Sequence, residues 1–187
     1  MGSMPHGTFH ETESERAEDA LQEARLNFFK ELDVDLHAVL EGYAQANRDA
    51  AKSCEEDGDE YNLKEWYHNA AAHFEKLATG ATGPLPSDPA EQMEVYADAT
   101  GTYTEEGCGN ILDFNGIPSS GDGIYQMRPM SEGEIEEAFG SRKPTRADIE
   151  AGWPRLWGDL DRATGICCRF YDSDRPKGWW FLGATAD

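Results

Sequence analysis

The sequence has little of what secreted, membrane-bound and nucleic-acid-binding proteins depend on. Its cysteines number four, Cys54, Cys108, Cys167 and Cys168, with no CxxC pair and no regular spacing. This pattern argues against a disulfide scaffold and favours reduced thiols. No apolar run approaches the roughly 20 residues that a membrane-spanning helix needs. Because the N-terminus also lacks the order of a secretory signal, we expect a soluble, cytoplasmic protein.

Basic residues are scarce as well, with 16 Lys and Arg against 37 Asp and Glu, for a net charge of −21. The excess is uneven, since residues 1–130 carry 26 acidic and 8 basic residues, whereas residues 131–187 carry 11 and 8. Such a field repels nucleic acids and anionic membranes and attracts basic protein surfaces. The partner that the charge predicts is therefore a basic protein surface, with no direct binding of nucleic acid or membrane.

Although valine occurs only three times, the chain contains 5 Trp, 7 Tyr and 8 Phe. Disordered acidic chains are poor in aromatic residues, so this composition predicts a folded protein. Residues 1–12, which begin with the Met-Gly-Ser-Met of an expression scar, predict a flexible tail. Residues 13–80 predict an N-terminal helical lobe of about three amphipathic helices, because apolar residues recur at intervals of three and four. The three apolar stripes begin at Ala17, Leu36 and Leu63.

Gly, Pro and helix-capping residues mark where the elements of the rest of the chain begin and end. Asn62 and Glu65 form a capping-box pattern at the start of the third helix. Residues 81–92, rich in Gly and Pro, predict a linker. Residues 93–187 predict an α+β lobe, in which a small antiparallel sheet is accompanied by short helices, so the fold class is α+β. This lobe either stands apart or forms one compact domain with residues 13–80.

Three short stretches supply the local evidence for that second lobe. The alternation of Met93, Val95 and Ala97 predicts a strand. Ser131 with Glu134 forms a second capping-box pattern, which predicts a short helix. Two aromatic runs, 166–171 and 178–182, predict a closing hairpin with a loop of four or five residues.

The chemistry-bearing residues match no metal or cofactor motif. His68 and His73 lie five residues apart, whereas a zincin helix needs a spacing of four to bring both rings to one zinc ion. The acidic loop 55–60 fails the EF-hand register, because Lys64 would stand where the bidentate Glu belongs. We therefore predict no metal and no cofactor.

The leading interpretation is an acidic protein that binds and blocks the basic surface of a nucleic-acid-binding enzyme. Carboxylates spaced along helices can imitate the phosphates of a duplex, as a DNA mimic does. Small, acidic, motif-free α+β chains are typical of phage anti-defence proteins, including anti-CRISPR inhibitors, which act in the host cytoplasm. An immunity protein against a toxin nuclease would use the same electrostatics. The acidic residues predicted to contact the partner are Glu13, Glu15, Glu18, Asp19, Glu55, Glu56, Asp57, Asp59 and Glu60.

Two alternatives stay open at the level of sequence. One is a small intracellular hydrolase that uses Cys108, in a Gly-Cys-Gly-Asn turn, or a pair of carboxylates as acid and base. The other is a structural or interaction protein from a salt-adapted or phage source, whose acidity keeps its surface hydrated. No catalytic residue is assigned, since a nucleophile needs a neighbouring base that sequence proximity does not supply, and the sequence favours a protein that is not an enzyme.

Overall fold

The computed structural model describes residues 5–57, 63–102, 110–119, 121, 123–161 and 163–184. In chain order the elements are strand β1 (Pro5–Glu11), helices α1 (Ala17–Glu31), α2 (Leu36–Asp57), α3 (Lys64–Ala78) and α4 (Pro89–Thr102), strand β2 (Gln126–Pro129), helices α5 (Glu132–Phe139) and α6 (Arg146–Leu156), and strands β3 (Thr164–Asp172) and β4 (Arg175–Ala184). Helices and one sheet in this order confirm the α+β class. No helix in the described part of the chain is both long and apolar enough to cross a membrane.

The chain divides into two compact units, the sheet unit (Met1–Phe28 with Thr104–Asp187) and the helical unit (Phe29–Tyr103). These limits do not coincide with the predicted boundaries at residues 80 and 93. The prediction of a three-helix N-terminal lobe is matched only in part. All three helices form close to where their apolar stripes place them, but α1 belongs to the sheet unit as far as Phe28.

The sheet has the strand order β1-β4-β3-β2. Strand β4 pairs antiparallel with both β1 and β3, whereas β2 pairs parallel with β3. The expected antiparallel sheet is therefore corrected to a mixed one. Parallel neighbours need a long crossover connection, and helices α5 and α6 provide it between β2 and β3.

Strand β1 corrects the prediction of a flexible tail over residues 1–12. Residues 5–11 pair along β4, with Phe9 opposite Trp180. The Phe9 ring meets the ring of Phe170 edge-on at a centroid distance of 5.4 Å. The strand approaches β4 so closely that a Cβ added to Gly178 would collide with the carbonyl oxygen of His10. The ring contacts of Phe9 and the close backbone approach at Gly178, which pairs with Glu11, thus hold the segment in the sheet.

Both faces of the central strands are buried. On one face Trp179 and Phe181 pack with Leu21 and two alanines of α1. On the other face Trp180 and Leu182 pack with residues that include Ile149 of α6. Cys167 belongs to the first cluster and Cys168 to the second, as expected for neighbours on a strand. The sheet unit therefore has helices on both faces, and α1 is drawn to it by the aromatic residues of β4.

Helices α2, α3 and α4 form the helical unit. Its core contains Leu40, Phe74 and Ala99, one from each helix. The rings of Tyr43 and Phe74 stack at a centroid distance of 5.3 Å.

The strand predicted over residues 93–97 is wrong, because these residues lie in helix α4. The first turn of this helix lies within the predicted linker 81–92. The Asp88 carboxylate accepts hydrogen bonds from the backbone N–H groups of Ala90 (2.9 Å) and Glu91 (3.2 Å), which caps the helix. Pro89 occupies the first position, where proline is favoured. The third helix begins at Lys64 with no side-chain cap at Leu63, and Asn62 of the predicted capping box lies outside the described residues. The box at Ser131 and Glu134 forms as predicted.

The closing hairpin has a tighter loop than predicted. Asp172 pairs with Arg175, which leaves only Ser173 and Asp174 in the turn. Ser173 has φ of 57°, a left-handed conformation that favours glycine.

We expect Ser173→Gly to raise the free energy of unfolding by about 0.5–1 kcal/mol, because it relieves the strain of a positive φ at a turn position. Urea denaturation measures the change. Asp174→Gly is the matched control, since Asp174 does not share this conformation and its carboxylate accepts a hydrogen bond from Lys143 Nζ at 2.7 Å. Equal stabilisation by both variants would contradict the assignment of strain to Ser173.

Candidate functional site

The four predicted partner-binding acids near the N-terminus lie in the sheet unit and are all exposed. Glu13 and Glu15 precede α1, and Glu18 and Asp19 lie in its first turn. Arg16 pairs with Glu18 at 2.7 Å and approaches Asp19 at 3.8 Å. Part of the negative charge predicted to face a partner is therefore offset locally.

The second predicted group lies at the end of α2, in the helical unit. Lys64 Nζ lies 2.7 Å from Glu55, and this hydrogen bond with the ammonium charge lowers the pKa of the Glu55 carboxyl. Lys52 approaches Glu56 at 3.5 Å. Asp57 ends the helix, while Asp59 and Glu60 lie outside the described residues. The two predicted groups thus belong to different compact units.

A third acidic surface, which the sequence reading missed, runs along α4. Glu91, Glu94 and Asp98 are exposed and stand three and four residues apart, so they share one helix face. We call these three residues with the capping Asp88 the α4 acidic stripe. Helix α4 contains no Lys or Arg. The run Ser87-Asp88-Pro89, with Glu91 three residues after Asp88, is a helix-start signal that could have located the stripe.

Charge in the helical unit as a whole is exposed and mostly negative. Residues 29–103 contain 16 acidic and 5 basic residues. Every acidic side chain of this unit that the structure describes is exposed. Three of the basic residues, Arg48, Lys52 and Lys64, form ion pairs with acidic residues of α2 and α3. Helix α4, which carries the α4 acidic stripe, contains no basic residue, whereas α2 and α3 each contain basic residues.

The sheet unit contains a cleft of about 440 Å³ between α5, the end of α6 and the sheet. Its apolar wall is formed by Met130, Ala138, Leu156, Leu160 and Ile166. Clefts of this size are in the range that small ligands occupy. The lining also contains charged residues of both signs: the basic residues are Arg128 and Arg155, and the acidic ones are Glu134, Glu137 and Asp159.

The Arg128–Glu134 pair is fixed within this cleft. The guanidinium donates to both carboxylate oxygens, at 3.1 and 2.9 Å. Glu134 also accepts from the backbone N–H of Ser131 in the capping box. The Arg128 hydrogen bonds, followed by those of Ser131, lower the pKa of Glu134 from 4.5 to about 2. A carboxyl this acidic stays ionised near neutral pH and cannot serve as a general acid, so it gives no support to the carboxylate-pair hydrolase.

We expect Glu134→Gln to lower the free energy of unfolding by about 0.2–1 kcal/mol at neutral pH, because glutamine keeps the cap but loses the ion pair. This change in free energy is the one expected for a surface ion pair, because 42% of the Glu134 side chain is exposed. The folded-state pKa is depressed, so the stabilisation is present above about pH 4.5 and is lost as the pH falls towards 2. Urea denaturation at several pH values should show the two proteins converging below pH 4.5. A difference that persists in acid would contradict this origin.

The described thiols do not have the environment of a nucleophile. Burial raises the pKa of Cys167 to about 12 and raises that of Cys168 as well. Cys54 is half-buried on α2, and all three are free thiols. Cys108, the proposed nucleophile of the hydrolase alternative, lies outside the described residues. In the part of the chain that the structure describes, no three His, Cys, Asp or Glu residues form a group that could hold a metal ion.

A separate polar cluster joins β1 to α1. The Thr12 and Ser14 hydroxyls donate to the Glu23 carboxylate at 2.6 and 2.5 Å, and His10 Nε2 lies 3.2 Å from it. The Ser14 hydrogen bond is the largest cause that lowers the pKa of Glu23. A catalytic triad places the histidine between the hydroxyl and the acid. Here the carboxylate takes all three contacts, so the cluster is a structural link.

Comparison of the chain with protein-family models, with curated proteins and with solved structures finds no match.

Proposed function

We propose that the protein binds the basic surface of a nucleic-acid-binding enzyme and blocks it, as a DNA mimic does. The observation that carries this proposal is the α4 acidic stripe, an exposed row of carboxylates on a helix with no basic residue. A blocker of this kind fits an anti-defence protein of phage origin, including an anti-CRISPR inhibitor, or an immunity protein.

The spacing of the stripe supports this function. Glu91, Glu94 and Asp98 recur at each helical turn, so successive carboxylates are about 5 Å apart along the axis. The phosphates of one DNA strand follow each other at about 3.4 Å along the duplex axis. The stripe therefore has about two thirds of the charge per unit length of one DNA strand, and a basic groove that binds phosphates attracts it in the same sense. The net charge of −21 adds a long-range field that draws a basic partner towards the protein.

A displacement assay tests the proposal. A panel of purified basic enzymes, made up of CRISPR effector, restriction and toxin nucleases, is loaded with a fluorescent DNA duplex, and the full-length protein is titrated in. We expect release of the duplex from at least one enzyme, with a stoichiometric end point. The class of enzyme that responds separates an anti-defence protein from an immunity protein. Binding that leaves every duplex in place would contradict blocking.

A further inference from the structure

The cleft beside α5 and α6 has an apolar wall and a charged rim. Five apolar side chains, from Met130 to Ile166, line it together with two arginines and three acids. The two parts of the cleft make different demands on an occupant. The wall favours an apolar body, because burial of apolar surface contributes about 25 cal/mol per Å². The rim selects by charge.

Among the residues that the structure describes, only some of the charged groups at the rim have an ion-pair partner. Arg128 and Glu134 neutralise each other through their bidentate pair. The other three charged groups of the cleft, Glu137, Arg155 and Asp159, are exposed, and none of them takes part in an ion pair among the described residues. The cleft therefore presents one positive and two negative groups towards an occupant.

We propose that this cleft binds a small zwitterion with an apolar body, of the size of an apolar dipeptide. The ligand carboxylate pairs with the Arg155 guanidinium, which suits carboxylates because of its planar array of donors. The ligand ammonium lies between Glu137 and Asp159, and its side chains contact the apolar wall. A purely cationic ligand would leave Arg155 without a counter-charge, and a purely anionic one would be repelled by the two carboxylates. Binding here is independent of any basic protein partner, so either proposal can fail alone.

Three probes that differ in one charge each test the ligand class: leucyl-leucine, its C-terminal amide and its N-acetyl derivative. The binding of each to the full-length protein is followed by NMR through the amide signals of Ala138 and Leu160. We expect saturable shifts with leucyl-leucine, and weaker binding of both derivatives by about 1.5- to 5-fold for each lost ion pair. Absence of saturation, or a derivative that binds as tightly as the parent dipeptide, would overturn the proposal.

Variants assign each charge. Arg155→Gln should weaken the binding of leucyl-leucine and leave the binding of its amide unchanged, because the amide has no carboxylate for Arg155 to contact. The double variant Glu137→Gln with Asp159→Asn should weaken the binding of leucyl-leucine. It should not weaken the binding of the N-acetyl derivative, which has no ammonium group. Glu150→Gln is the control, since Glu150 is exposed on α6, pairs with Arg146 at 2.9 Å and is not part of the cleft lining. Equal loss of all three probes in Arg155→Gln would show that Arg155 shapes the cleft without binding the carboxylate, and would overturn the assignment.

Discussion

Replacement of Trp180 by alanine is expected to lower the free energy of unfolding by about 3–5 kcal/mol, the range for a large aromatic residue removed from a core. The side chain is 1% exposed and lies on β4, between its paired neighbours β1 and β3. Its ring meets Phe139 of α5 edge-on at 5.8 Å and Phe9 of β1 at 6.5 Å. One substitution therefore removes contacts to an edge strand and to a crossover helix together. Chemical denaturation followed by circular dichroism measures the loss.

Trp66→Ala provides the matched control, because it removes the same side chain from a site that is 39% exposed on α3. We expect that variant to lose well under half as much, since much of its ring already contacts water. A similar loss in both variants would mean that Trp180 is not the packing centre of this face of the sheet. Retention of the full stability in Trp180→Ala would contradict the assignment of β1 to the sheet as well.

The elements predictable from sequence are those whose apolar residues form a clear stripe or a continuous run. Helices α2 and α3 each carry an apolar stripe at helical spacing, and the structure places helices there. Strand β4 was also recognisable, but its run Trp179-Trp180-Phe181-Leu182 does not alternate, because both of its faces are buried. The same run explains why α1 leaves the predicted helical lobe. An apolar helix face packs on whichever large apolar surface is available, and sequence does not specify which one.

The errors occur where tertiary contacts or a short cap decide the structure. Strand β1 contains one large apolar residue, Phe9, so its local pattern predicts a tail, and only pairing with β4 makes it a strand. The alternation of Met93, Val95 and Ala97 predicts a strand where the chain forms helix α4. That assignment would have divided its carboxylates between two faces and hidden the α4 acidic stripe. The cleft could not be predicted, since its lining comes from positions between 128 and 166 that only the β2–β3 crossover brings together.

Neutralisation of the stripe by Glu91→Gln, Glu94→Gln and Asp98→Asn is expected to slow association with a responsive nuclease by about two- to tenfold. Complementary charge accelerates encounter by factors of 10 to about 1,000, so its loss acts on the association rate. Dissociation should change less, because each exposed ion pair contributes only about 0.2–1 kcal/mol. Stopped-flow mixing with the free enzyme, followed by tryptophan fluorescence, measures the association rate, and displacement of the bound protein by excess duplex measures the dissociation rate. Circular dichroism confirms that α4 still forms.

The control variant must change the net charge equally, so that position and total charge are separated. Glu18→Gln, Asp19→Asn and Glu55→Gln also remove three negative charges, but from α1 and α2 and not from the α4 face. We expect a smaller effect on association than for the stripe variant. Equal slowing would mean that the net charge, and not the α4 face, directs the encounter. The wild-type association rate should also fall steeply with salt, because screening shortens the range of the field to about 8 Å at physiological ionic strength. If affinity for the enzyme stays constant from low to high salt, the contact is apolar and the protein is not a DNA mimic.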